Sequence, residues 1–133
     1  MIFRRRASSS PSAPEVQRVI DDLGEWEYAG LEEPPGALQW LQAWYAVQCD
    51  SEWEHGYGVE IGTLDNPGWT VKINLTGTYL EDRAYVDARI ERGGHDWVRT
   101  WVSDKSFQAA CGPLNLGEAL TAFRTWAQGT SAD

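Results

Sequence analysis

The hydrophobic period changes twice along this chain, and that double switch constrains the fold more than any other feature. Between Ala37 and Gln48 the apolar residues Ala37, Trp40, Leu41, Trp44 and Val47 recur at spacings of three and four, with Leu38 and Tyr45 on the flank. Such a stripe is helical and too wide for a free surface helix, so it should pack on a sheet. From Tyr57 the period becomes two. Tyr57, Val59 and Ile61 alternate with Gly58, Glu60 and Gly62, the pattern of a half-buried strand. Trp69, Val71, Ile73 and Leu75 repeat the pattern against Thr70, Lys72 and Asn74. Asn66-Pro67-Gly68 lies between the two runs; proline's fixed φ followed by a glycine that accepts positive φ predicts a type II turn and an antiparallel hairpin.

Ala84, Val86, Ala88 and Ile90 alternate with Tyr85, Asp87, Arg89 and Glu91, predicting a third strand with one wet face, turned by Gly93 and Gly94. In residues 97–102, valines facing the core would leave Trp97, Arg99 and Trp101 as an aromatic and basic stripe on the outer face. Residues 107–111 predict a short fifth strand, ended by Gly112 and Pro113. The helical period then returns over residues 115–128. Asn115 and Glu118 have capping-box spacing, Leu116, Ala119, Leu120, Phe123 and Ala127 make one apolar face, and Gly129 supplies a stop. The expected fold is α+β: an antiparallel meander sheet of four to five strands packed with an N-terminal and a C-terminal helix, in two layers.

The ends are simpler. Residues 1–13 combine Arg, Ser and Pro and read as a disordered tail. Residues 14–36 read as a short helix over 15–23, stopped by Gly24, and an acidic linker that Trp26, Tyr28 and Leu31 anchor to the body. One domain is expected over 37–128, with 129–133 a short tail. No apolar run reaches the roughly 20 residues that span a bilayer. The basic start has no apolar segment behind it, so no secretory signal is expected and the expected location is the cytoplasm.

Charge narrows the choice of partner. The net charge is −9, and Arg4, Arg5 and Arg6 hide part of it, because residues 7–133 hold 20 acids against 8 bases. A body this acidic repels phosphate backbones, which argues against direct nucleic-acid or anionic-membrane binding and favours a basic protein partner. Eight tryptophans are more than so short a chain usually needs for its core, so some are expected at a binding surface.

The densest polar cluster is Asp50, Glu52, Glu54 and His55, with Glu60 and Asp65 further on. Three readings compete for it. Gathered in one cleft, these groups would suit a metal or acid–base catalysis. As a solvated loop they would pair among themselves, with His55 capping or pairing with its neighbours. As an acidic surface with Trp53 and Tyr57 as aromatic anchors, they would grip a basic protein, and only this reading uses both the charge and the aromatics. Nothing supports the first strongly, since no H-E-x-x-H, nucleophile motif or glycine-rich phosphate loop is present. No catalytic residue, cofactor or metal is therefore expected. Cys49 and Cys111 form no C-x-x-C pair and read as reduced, part-buried thiols. Asn74-Leu75-Thr76 matches a glycosylation sequon by chance within a strand.

Three stretches resemble a known family. They are residues 38–45 (LQWLQAWY) with 48–58 (QCDSEWEHGYG), residues 63–69 (TLDNPGW) leading into Val71-Lys72-Ile73-Asn74-Leu75, and Gly112-Pro113-Leu114-Asn115-Leu116. Over about residues 37–127 the chain resembles the immunity protein 53 family of bacterial polymorphic toxin systems. The resemblance implies a non-enzymatic protein that binds and neutralises a cognate toxin and so protects the producing cell. The family pattern often has Gly-Asp where this chain has Ser51-Glu52, a change that keeps the charge and loses a flexible glycine. The toxin-binding surface expected from these arguments comprises Asp50, Glu52, Trp53, Glu54, His55, Tyr57, Glu60 and Asp65. A nuclease is the first guess at the toxin, because nucleases carry cationic surfaces for phosphates. Trp40, Trp44 and Trp69 are expected to be structural, while Trp53 divides evenly between core and interface. The competing function is a small-molecule or carbohydrate binding module that stacks its ligand on Trp97 and Trp101. Neither the toxin's activity nor the oligomeric state follows from the sequence.

Overall fold

The computed structural model describes residues 36–129 together with Arg18. The expected first helix, the acidic linker with Trp26, Tyr28 and Leu31, and the terminal tails lie outside the described residues, save Arg18, Gly36 and Gly129. Helix α1 (Ala37–Gln48) starts with the Trp40 amide donating to the Gly36 carbonyl and leads through a one-turn helix α2 (Trp53–Gly56) into the sheet. Strands β1 (Val59–Leu64), β2 (Gly68–Asn74), β3 (Ala88–Gly93), β4 (Asp96–Ser103) and β5 (Ser106–Cys111) follow, and helix α3 (Leu116–Ala127) closes the chain. The fold is α+β, five antiparallel strands in one sheet with helices from both ends of the domain on it.

The sheet order is β1-β2-β5-β4-β3, so the last strand is central. Only β3, β4 and β5 form a sequential meander; the β1–β2 hairpin joins it through β2 against β5. The strand expected to be short is therefore the axis of the sheet. Phe107, Ala109 and Cys111 on β5 are almost fully buried, which suits a strand flanked on both sides. The β4–β5 connection is the two-residue hairpin Asp104-Lys105, both at positive φ (53° and 55°), as a type I′ turn requires.

The core is aromatic. Trp44, Trp53, Phe107 and Phe123 are completely buried and meet edge to face, with Trp44 and Phe123 ring centroids 5.1 Å apart and Phe107 and Phe123 5.2 Å apart. Trp40 and Trp126 complete the helix side, and Trp69 packs on the core while its Nε1 donates to the Pro113 carbonyl at 3.0 Å. Both cysteines are free thiols; Cys111 is buried and burial pushes its pKa up.

Several expectations need correction. The third strand starts at Ala88, not Ala84, and Val86 is 86% exposed, whereas Tyr85 turns inward onto Phe107 and Trp126 and bonds to the Thr100 hydroxyl. Period-two alternation ran one residue out of phase there because residues 75–87 are a crossing connection. That connection is tied to the end of α3 by Tyr79 Oη on the Ala127 carbonyl and Arg83 on the Trp126 carbonyl. Gly68 does not adopt positive φ, so the reversal is not the expected type II turn. It is glycine for another reason, since a Cβ would collide with the Cys111 carbonyl oxygen on the neighbouring strand. Asn115 and Glu118 form no capping box either. Asn115 Oδ1 accepts from the Trp97 amide instead of a first-turn amide, and its Nδ2 donates to Asp96 and to the Glu118 side chain, which ties the start of α3 to β4 as well as to its own first turn.

Candidate functional site

The segment from Cys49 to Asp65 was expected to be a polar loop and a strand. Its first half is built around one buried anchor. Asp50 Oδ1 accepts from the amides of Glu52 (3.0 Å) and Trp53 (2.9 Å), and Glu54 Oε1 accepts from the Asp50 amide (3.0 Å). These reciprocal bonds wind residues 50–56 into the turn that becomes α2 and spend part of both carboxylates on local structure. Ser51 sits inside this turn at φ 74°, a conformation that costs a side-chain-bearing residue about 1 kcal/mol or more.

The turn points Trp53 inward, and this corrects its assignment as a surface anchor. Its side chain is fully buried, its Nε1 donates to the Thr76 carbonyl at 2.8 Å, and its ring meets Trp44, Tyr45 and Tyr57 at 6.0 to 6.3 Å. Trp53 therefore holds α2 to the core and to the chain just after β2, and offers no surface to a partner. Tyr57 remains half-buried at the wall of a groove, and it precedes β1 rather than belonging to it.

That groove runs between α1, α2 and the start of β1 and encloses about 590 Å³. Leu38, Tyr45 and Ile61, each more than a third exposed, line it together with Glu54, His55 and Tyr57. Leu38 and Tyr45 were legible only as the flank of α1. Their spacing of seven, with Leu41 and Gln42 between them, describes a second helical stripe beside the buried one, and that is the signal that could have found them. Of the eight residues expected to bind, Glu54, His55, Tyr57 and Glu60 border the groove. Asp50 and Glu52 lie outside its lining, and Asp65 sits in the β1–β2 turn at the far end of the strand, about 20 Å from Val59 at strand rise. The seven other than Trp53 therefore follow the chain from α2 along β1 and do not gather in a cleft. Among the described residues no three His, Cys, Asp or Glu side chains gather as a metal site, and the four polar groups Asp50, Glu52, Glu54 and His55 do not converge on one cavity.

Charge is localised on the same stretch. Residues 36–129 carry twelve acids and seven bases, and residues 50–65 hold five of the acids and no base. The rest of the fold has seven of each and is neutral. Some of those remaining acids are held by cations: Arg92 bridges Asp96 (2.9 Å) and Glu118 (2.6 Å), and Lys105 meets Glu81 (2.8 Å). Arg92 and Asn115 hold Asp96 and Glu118 below the usual carboxylate range, as Lys105 does Glu81.

The outer sheet face carries the second candidate. Trp97, Arg99 and Trp101 face outward as expected, and a hollow of about 620 Å³ lies beside Trp97, Arg89, Arg99 and Ala110. Trp101 is not part of it, and the Arg99 guanidinium lies 5.2 Å from the Trp101 ring centre. Two stacking platforms on one ligand do not result. No described helix is long and apolar enough to cross a membrane.

Comparison with known proteins adds one result. A family model described as immunity protein 53 matches residues 38–128, from the second residue of α1 to just past the end of α3. Nothing matches among curated proteins or among solved structures.

Proposed function

The chain belongs to the immunity protein 53 family, and from that premise we propose that it binds and neutralises a cognate polymorphic toxin through the surface that runs from α2 along β1. The observation that carries this reading is the confinement of the fold's entire charge excess to residues 50–65, beside a groove with exposed apolar side chains. Concentrated negative charge speeds encounter with a cationic protein, and an apolar groove beside it supplies the desolvated contact that holds the complex. Asp50, Glu52, Glu54, His55, Tyr57, Glu60 and Asp65 remain the proposed contact set, with Leu38, Tyr45 and Ile61 added and Trp53 moved beneath them as support. No catalytic role is assigned to any of them. The protein acts in the cytoplasm of the producing bacterium, and a nuclease, whose substrate site must be cationic, is the toxin class this surface fits best.

The test is co-purification of the tagged chain from its own host, with partners identified by mass and the complex challenged with salt. Recovery of a toxin carboxy-terminal domain in near-stoichiometric amount, released by raised salt, is the expected result. A folded, monomeric chain that recovers no toxin would refute the reading. It would leave the hollow beside Trp97 as a small-molecule or carbohydrate site, to be sought by ligand-dependent tryptophan fluorescence.

A further inference from the structure

Among the described residues β1 has a neighbour on one side only. The Asn74 amide donates to the Gly58 carbonyl, and antiparallel hydrogen bonding alternates from there, so Glu60 and Gly62 direct their backbone groups at β2. Val59, Ile61 and Thr63 direct theirs away from it, and none has a hydrogen-bond partner among the described residues. This edge has little to discourage pairing: a regular register throughout, no proline within the strand and a single charge, Glu60.

We infer that the β1 edge accepts one extended strand of the toxin in which basic residues alternate with apolar ones. The inference rests on the toxin-binding reading above and specifies how that surface grips. The alternation follows from the two faces of β1. Val59 and Ile61 share the face of Ile73 and Val71 and border the groove, so side chains of an added strand on that face meet Leu38 and Tyr45. Glu60 lies on the opposite face, in the row that continues through Lys72, Gln108 and Trp101. A side chain directly across from Glu60 meets a carboxylate at the closest cross-strand spacing, where a cation is favoured. Main-chain bonds to Val59, Ile61 and Thr63 supply affinity, and the alternation supplies specificity.

Charge chooses the occupant. A second copy of this chain paired through β1 would bring the five acids of residues 50–65 against the same five. The chain's own residues 15–33 would bring seven acids and only Arg18, and its basic run Arg4-Arg5-Arg6 is consecutive, so it does not alternate with apolar residues. Only a cationic strand relieves the repulsion.

The experiment is residue-level amide exchange on the full chain, free and in complex with the toxin domain recovered by the co-purification above. Free, the Val59, Ile61 and Thr63 amides exchange fast while Glu60 and Gly62 are protected; bound, all three slow by about tenfold or more. Ile61→Pro removes one outward donor without touching the β1–β2 ladder, so it weakens toxin binding by about tenfold with the melting temperature nearly kept. The exchange result stands without that variant should it fold poorly. Unchanged exchange of the three amides in a complex of normal affinity would overturn strand addition while leaving toxin binding intact. Protection already present in the free chain, or appearing with its concentration, would overturn it in favour of a self-supplied strand or a second copy. A wild-type chain that binds no toxin would remove both readings.

Discussion

The sheet has two edges, and they are finished differently. β3 is exposed along its whole length, and its register is broken by an irregularity between Glu91 and Gly93. Arg89 pairs with Glu91, and Arg92 clamps Asp96 on β4 and Glu118 on α3. Bulge and charge are the devices by which an edge refuses a further strand. Among the described residues β1 has neither bulge nor ion-pair clamp, borders an apolar groove, and lies within the segment that carries the net charge of residues 36–129. One edge is closed and the other open, and the open one coincides with the acidic stretch.

The largest effect expected from breaking this arrangement is at its support. Trp53→Ala empties the space beneath α2 and should cost about 3–5 kcal/mol, read as a large fall in melting temperature. A stable variant that merely lost toxin binding would return Trp53 to the surface. Gly68→Ala drives a Cβ into the Cys111 carbonyl where the open-edge hairpin meets the central strand, and about 1–3 kcal/mol should be lost by chemical denaturation. Ser51→Gly works in the other direction. It relieves the positive φ at the start of α2 and should add about 1 kcal/mol, with toxin affinity unchanged. The smallest effect belongs to the closed edge. Because Arg92 depresses Asp96 and Glu118, their contribution is complete above the ordinary carboxylate pKa near 4 and fades as pH falls through the depressed values. Arg92→Ala should therefore melt slightly below wild type at pH 7, and the gap should close in acid.

The sequence carried most of this comparison, but unevenly. Both long helices, the hairpin, and the outward tryptophans of β4 followed from period alone, because each element has one wet and one dry face. The central position of β5 did not, since hydrophobic runs report burial and are silent about which strands are neighbours. Tyr85 was misplaced because a crossing connection mimicked alternation. At the site, the acids were legible as composition, whereas the inward turn of Trp53 depended on Asp50 and Glu54 winding a helix inside an apparently polar loop. The groove was hidden because its lining comes from the flank of α1 and the edge of β1, two elements separate in sequence.

The most direct measurement reverses one charge on each edge and asks which protects a cell. Glu60 and Arg89 are both exposed strand residues, so Glu60→Lys and Arg89→Glu should each leave the fold intact, as melting would verify. Co-expressed with the toxin domain, the chain carrying Glu60→Lys should lose protection, and the chain carrying Arg89→Glu should retain it. Survival with Glu60→Lys and death with Arg89→Glu would place the toxin on the closed edge and contradict the account.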